Sequence, residues 1–533
     1  MEVAQAVQRL DQPLFVVESE SQPVVASGGE ALFGETAQGE GEALLGWVAP
    51  CPIESLGDPG FLSDYGIRYP YVGGSMANGI SSVELVEGLA RRGMLGFFGA
   101  AGLPIAQVEA AILSLKESLG DVPHAFNLIH SPSESALEAE VVDLYLRHGV
   151  RLVEASAFLR LTLPIVKYRL HGIYRGGDGQ VVTPNRIIAK VSRVEIASRF
   201  FAPPPEKLVG KLLEAGEITP EQAELAKEIP VAQDITAEAD SGGHTDNRPA
   251  IALLPTLCAA RDRMAEEYGY SIPLRVGLGG GISTPASTAA AFAMGAAYVM
   301  TGTVNQACVE SGSSDLVRGM LAEAGQADTT MAPAADMFEM GVEVQVLKRG
   351  TMFSMRAAKL YDLYRACQSL ADIPADEREK LETTVFRAPL EDVWKQTRAF
   401  FEARDPRQIE KAEKDPRHKM ALIFRSYMGQ ASGWANNGVE DRKMDFQIWC
   451  GPAMGAFNEW VKGSCLEPVE NRTVGLVALN LLHGAAALAR VQALLRLGVA
   501  LPLEATLIRP KPADEIEDAI AGQTDATARS QAS

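Results

Sequence analysis

The chain has 533 residues, 47% hydrophobic and 22% charged, the proportions of a soluble globular protein; its length allows one large domain with additions or about three domains of ~150 residues. A formal net charge of −19 excludes the concentrated Lys and Arg that phosphate backbones and anionic membrane surfaces require, so neither nucleic acid nor a membrane is an expected partner. The six cysteines, at 51, 258, 308, 367, 450 and 465, show no CxxC spacing and no disulfide framework; they read as reduced thiols, and with no apolar leader behind Glu2 the expected location is the cytoplasm.

In chain order, residues 1–49 hold short apolar runs such as Leu14-Phe15-Val16-Val17 between glycine-rich breaks, which predicts a small N-terminal β-rich module. From Tyr69 onward, apolar runs of strand length alternate with stretches of helical period. The predicted strands are Tyr71–Met76, Met94–Phe98, Ala125–Ile129, Leu152–Ala155, Arg186–Val191, Ile235–Ala239, Leu274–Gly277 and Tyr298–Thr301. Their apolar character is continuous, as in parallel strands buried on both faces. Ser81-Ser82 precedes a helix over Val83–Arg92 that Gly93 ends; Pro104 opens the next and Gly120 ends it; Ser133 with Glu134 opens a third, ended by Gly149. Eight such units within residues 50–312 predict an α/β fold, a (β/α)8 TIM barrel. An open doubly wound sheet is the alternative, but its GxGxxG fingerprint is missing after the first strand.

Two insertions interrupt the barrel: a hairpin at 172–183 around Gly176-Gly177-Asp178-Gly179, and a helical excursion at 201–229 containing Pro203-Pro204-Pro205. Residues 313–510 predict a helical C-terminal region, with helices near Ala357–Ser369, Leu390–Arg404 and Arg417–Met428. The apolar stretch Val474–Val499, interrupted by Asn480, His483 and Arg490, predicts a buried or amphipathic helix and not a membrane span. The polar tail, 511–533, is expected to be disordered.

Barrels of this kind carry their active sites at the C-terminal strand ends. Here glycines follow three consecutive strands: Gly242-Gly243 after the sixth, Gly279-Gly280-Gly281 after the seventh, and Gly302 with Thr303 after the eighth. Lacking Cβ, they let backbone N–H groups approach a phosphate, which this fold commonly binds after strands seven and eight. One such run would signify only a tight turn; three together point to a phosphorylated ligand. Asn127 ends the third strand, where its amide can bind a ring edge or cap the next segment. Met76 is core filler or a ligand contact, and its flanking glycines favour contact. His244, beside the first glycine run, is a candidate general acid or phosphate donor. A zinc site from Asp240, His244 and Asp246 ranks low, because the ligand spacing is wrong and no second histidine is expected at a strand end. No GxSxG elbow follows a strand, so a serine hydrolase ranks lower still.

These strand ends, Ala77-Asn78-Gly79-Ile80, Asn127, Ser241-Gly242-Gly243-His244, Gly280-Gly281-Ile282 and Gly302-Thr303, resemble those of the FMN-dependent nitronate monooxygenases and flavin enoyl-acyl-carrier-protein reductases. The resemblance is closer to the PfaD-type trans-acting enoyl reductases of polyunsaturated-fatty-acid and polyketide synthases. It covers most of the chain, including the run from Gln233 to Asp246 and the unusual stretch from Trp434 to Pro452, which ends Gln447-Ile448-Trp449-Cys450-Gly451-Pro452.

The resemblance implies a tightly bound FMN reduced by NADPH, which passes hydride to the β-carbon of an enoyl thioester, with His244 or a water it positions as proton donor. It implies that Asn127 touches the isoalloxazine, that Glu238 stands where the monooxygenases carry a flavin-binding Gln, and that Gly243, Gly281, Gly302 and Thr303 hold the phosphate. Met300 also replaces a Gln common in the monooxygenases. Both departures weigh against monooxygenase chemistry and leave the reductase reading intact. The implied partner is an acyl carrier protein domain of a synthase, and a homo-oligomer is left open. The alternatives are nitronate-type oxidation of a small molecule and a flavin-free scaffold in a biosynthetic complex. Lys348, Arg349, Arg356 and Lys359 form the basic stretch expected to meet an acidic carrier.

Overall fold

The structure is a computed structural model that describes residues 3–26, 28–32, 41–130 and 135–520. Eight parallel strands close into a barrel in chain order: β1 (Tyr71–Gly73), β2 (Leu95–Phe98), β3 (Ala125–Ile129), β4 (Leu152–Ser156), β5 (Arg186–Val191), β6 (Asp234–Glu238), β7 (Arg275–Gly279) and β8 (Val299–Thr301). Closure is made by β8 on β1, with Val299 opposite Tyr71 and Thr301 opposite Gly73. All eight lie within a few residues of their predicted positions, because each is a continuous apolar run that must be buried on both faces.

The helices between them obey their end signals. Ser82 Oγ accepts from the Leu85 amide to open Val83–Ala90, and Pro104 precedes Ile105–Leu119. Gly93, Gly120 and Gly149 close their helices at positive φ. The expected start of the third helix at Ser133 and Glu134 lies outside the described residues. The 172–183 insertion is a hairpin, Tyr174–Arg175 against Val181–Val182, and the second insertion forms helices Glu206–Glu214 and Pro220–Leu225.

The barrel interior is layered. At its N-terminal end the helix Pro59–Tyr65 acts as a plug: Phe61 stacks on Tyr298 at 4.2 Å, and Tyr65 donates to Asp234 at 2.6 Å. Above it, Val72, Leu95, Phe97, Ala125, Leu152 and Ile188 form one apolar cluster with Tyr298 and Met300. The polar residues of the next layer form the candidate site.

The N-terminal residues form a helix, Val3–Gln8, and an antiparallel sheet with Leu14–Ser19 between Gln22–Ala26 and Leu44–Val48. Their Val7, Leu10 and Val16 share one core with the barrel and with the helix Val474–Arg496. Arg490, buried on that helix, donates to the carbonyls of Arg9 and, at 2.8 Å, Gln12. The module is therefore welded on rather than appended. The helix Val474–Arg496 is long and apolar enough to cross a membrane, but 83% of its most apolar window is buried in this fold, where it covers the helix Pro285–Ala293.

After the barrel the chain is largely helical, with Phe353–Ala366, Leu390–Arg404 and Pro416–Asn436 at the expected places. It also holds two strands that were not expected, Thr329–Pro333 and Glu343–Leu347. The tail departs from expectation too: residues 513–520 are helical, with Ile516 fully buried, because an apolar position was available against the core. Residues 521–533 lie outside the described residues.

Candidate active site

A hydrogen bond between non-neighbouring strands must cross the barrel interior. Ser75, just after β1, donates to Glu154 in β4, from its hydroxyl and, at 3.3 Å, from its amide. Glu154 is fully buried. Its register partner on β3 is Asn127, whose amide nitrogen donates to Ser75 Oγ at 2.9 Å and Ser156 Oγ at 2.8 Å. On the other side Lys190 of β5 pairs with Glu238, the last residue of β6, at 3.2 Å. Burial opposes the charge on Lys190, but the Glu238 and Glu154 carboxylates outweigh it and hold the ammonium above the ordinary lysine range. Glu154 Oε1 is buried without a hydrogen-bond partner among the described residues, which is costly unless something completes it.

Of this polar network, sequence reasoning singled out Asn127 and Glu238 but not Ser75, Glu154, Ser156 or Lys190. The available signal was a charge inside an apolar strand: Glu154 within Leu152–Ser156, Lys190 within Arg186–Val191. Asn127 is a positioning residue here, since its N–H groups hold Ser75 and Ser156. Met300 is buried within the barrel, close enough that a Cβ on Gly74 would meet its Sδ at 2.9 Å, while Met76 lies partly buried at the core's margin.

The glycines after strands six to eight divide into two kinds. A Cβ on Gly242 would lie 2.9 Å from the Cys450 amide nitrogen, and one on Gly280 2.7 Å from the Ala239 carbonyl carbon and oxygen. Their lack of a side chain is thus explained by packing of backbone on backbone, with or without a ligand at these turns. Gly243, at φ +79°, pairs with Gln345 in a short strand with His244. Gly281 and Gly302 are different: a Cβ on either meets nothing within 4 Å. The amides of Gly281, Gly302 and Thr303 donate to no protein acceptor among the described residues. These open, unengaged donors fit a phosphate.

The C-terminal region reaches over this end. Cys450 and Gly451 pack on Gly242 and Ser241, Gly451 donates to Thr303 Oγ1 at 3.4 Å, and Asn78 donates to Ser432 Oγ at 3.1 Å. The unusual stretch from Trp434 to Pro452 is therefore partly a strap across the barrel mouth. Burial pushes the Cys450 thiol up to about 12, so it is an inert packing group.

His244, six residues beyond the end of β6, pairs with Val344, and its Nε2 lies 3.1 Å from Asp336 Oδ1. Burial works against the charged ring, but the hydrogen bond and charge of Asp336 prevail, with Glu238 adding and Lys190 opposing; the imidazolium persists above its ordinary range. The pair's stabilisation is therefore complete below the unfolded histidine pKa of about 6.5 and is lost as pH rises through the higher folded value. We predict that Asp336→Asn lowers the His244 titration midpoint measured by NMR; an unmoved midpoint would assign the shift elsewhere.

Asp240, His244 and Asp246 do not converge on a metal. Asp240 accepts from Gln345 and Asn247, and Asp246 is held by Arg193 and Ser192, which bring its carboxyl down to about 2. A second histidine does stand at a strand end, contrary to expectation: His130 directly follows β3, its Nδ1 held by the buried Glu138 at 2.7 Å, with Thr162 donating to the same carboxylate. Arg356 and Lys359 of the expected basic stretch are engaged by carboxylates. Arg356 is bound to Asp445, a fully buried carboxylate that also gathers Arg387, Arg442 and Tyr427, while Lys359 pairs with Glu377 at 2.7 Å.

The sequence profile of the nitronate monooxygenase family matches residues 61–363, and that of the inserted helical domain of [acyl-carrier-protein] S-malonyltransferase matches residues 367–446. A polyunsaturated fatty acid synthase polypeptide of Thraustochytrium sp. (strain ATCC 26185 / S-3) is 50% identical over 461 residues, 85% of this chain and 31% of that protein. Polyketide biosynthesis protein PksE of Bacillus subtilis (strain 168) is 46% identical over 436 residues, 82% of this chain and 56% of that protein. The chain thus spans less than two thirds of either curated relative. Among solved structures, the enoyl reductase domain of MlnA from the macrolactin biosynthesis cluster of Bacillus amyloliquefaciens superposes with a TM-score of 0.80 at 41% identity, covering 83% of this chain and 99% of that one.

Proposed function

The chain belongs to the nitronate monooxygenase family, and from that premise we propose that it is an FMN-dependent enoyl reductase. It uses NADPH and acts in trans on enoyl thioesters borne by an acyl carrier protein domain of a polyunsaturated fatty acid or polyketide synthase. The observation that carries this reading is the likeness over nearly the whole length of an enoyl reductase domain. Glu238 and Met300, where the monooxygenases carry Gln, agree with it.

When bound, FMN supplies hydride transfer from NADPH to the β-carbon of the enoyl thioester. The chain supplies the rest. Gly281, Gly302 and Thr303 present amides to the phosphate, and the Glu154–Lys190–Glu238 row with its orphaned Glu154 Oε1 offers polar partners to the ring edge. Asn127 fixes that row through Ser75 and Ser156. The α-carbon needs a proton, and His244, kept protonated by Asp336, is the donor.

The purified protein is expected to be yellow, and to oxidise NADPH with a short enoyl thioester in the absence of oxygen. Turnover of a nitronate in air with no enoyl reduction would replace this reading with the monooxygenase one; a colourless protein would leave the scaffold reading. His244→Ala is expected to lower enoyl reduction about 10²-fold. That is the low end for a lost proton donor, since a half-exposed ring can be replaced by water. Flavin content should not change. A parallel loss of flavin would make His244 a phosphate contact instead.

A further inference from the structure

The loops after β4, β5 and β6, the strands that project Glu154, Lys190 and Glu238, form one side of the barrel mouth. On this rim Arg160, Arg193, Arg199 and Arg248 are all exposed. Arg193 is engaged by Asp246, and Arg199 donates to the Leu159 carbonyl at 2.9 Å. Arg160 and Arg248 have no carboxylate partner among the described residues. The acids of the patch are Asp246, bound to Arg193, and Glu195, which lines a groove with Arg193 and Arg248. A cluster of guanidiniums in a chain of net charge −19 is a local inversion of sign.

Two grooves flank the helix Val194–Phe201. One, of about 280 Å³, lies between Arg160, Arg199 and Pro203; the other, of about 520 Å³, lies between Arg193, Arg248 and Leu253. Ile251, in the first turn of the helix Ala250–Tyr268, is 75% exposed, the highest value for a large apolar side chain among the described residues. Leu159 is 53% exposed between Arg160 and the reach of Arg199. Exposed apolar side chains beside a net-positive set of arginines at the edge of the candidate site are features of an interface.

We propose that this rim is the docking surface for the acidic carrier protein domain that delivers the thioester, an inference that rests on the reaction proposed above. Charge complementarity selects this occupant. An acidic domain is repelled by most of this chain and attracted here, which steers it to the side of the mouth where Glu154, Lys190 and Glu238 project. A second copy of the chain fits poorly, because a two-fold contact would set arginine against arginine.

The test is direct binding of a fluorescently labelled, phosphopantetheinylated carrier domain from a polyunsaturated fatty acid synthase, read by anisotropy, to the full flavin-loaded chain. Arg160→Glu with Arg248→Glu and Ile251→Glu is expected to weaken binding about 10-fold or more and to raise KM for the carrier-bound substrate in proportion. Wild-type binding is expected to weaken as salt is raised. Arg160→Gln with Arg248→Gln, which changes less charge, should fall between the two. On a short free enoyl thioester the triple variant is expected to stay within about twofold of wild type. Unchanged carrier binding, salt-independent binding, no wild-type binding, or equal losses on both substrates would each overturn the docking surface. A wild type that binds the carrier but never reduces the free thioester would overturn the reaction and leave the surface standing.

Discussion

Lys190→Met is expected to destabilise the folded chain by about 3–5 kcal/mol at neutral pH, the cost of removing one partner from a buried ionic pair. Lys190 and Glu238 are each only about one-fifth exposed, and Glu154, fully buried, feels the same ammonium. Without it both carboxylates lose the ammonium they share. A buried carboxylate that has lost its counter-ion is costlier charged than protonated. A carboxyl whose folded pKa is raised is tolerated below its unfolded value of about 4.3 and destabilises as pH rises through the folded one. The deficit should therefore shrink as the pH is lowered from about 8 towards about 5 in urea unfolding, relative to wild type. Adding Glu238→Gln should recover much of the loss. A deficit that is independent of pH and unaffected by Glu238→Gln would mean that Lys190 acts through its alkyl chain rather than its charge.

The barrel was legible because parallel strands buried on both faces leave continuous apolar runs, and Gly93, Gly120 and Gly149 mark helix ends locally. What stayed hidden depends on distance along the chain. The meeting of Ser75 with Glu154 exists only once β1 and β4 face each other across a closed barrel. Arg356 looked like a free surface cation because its partner, Asp445, lies 89 residues away. The N-terminal residues read as a small module of their own because the helix that covers them begins at Val474. The glycines show the same limit. Gly242, Gly280, Gly281 and Gly302 are alike in sequence, and only the neighbours of an added Cβ separate packing from open space.

That separation makes Gly302→Asp the sharpest test of the phosphate site. Gly302 has φ −127°, a value open to residues other than glycine, and its added side chain meets no atom within 4 Å, so the variant should fold. Gly281→Asp is less clean, because its φ of +75° strains any other residue. Gly280→Ala should damage the fold itself, since its Cβ would collide with the Ala239 backbone. An aspartate carboxylate about 5 Å from a phosphate charge costs about 3 kcal/mol at an effective dielectric of about 20. That corresponds to roughly 100-fold weaker binding, before counting the displaced amides. The protein is therefore expected to purify folded and nearly colourless, with enoyl reduction lost along with the flavin. Gly302→Ala, which adds bulk without charge, should retain most of its colour. A folded Gly302→Asp protein carrying a full complement of flavin would place the phosphate elsewhere, and with it the argument that the unengaged amides of Gly281, Gly302 and Thr303 are there to bind it.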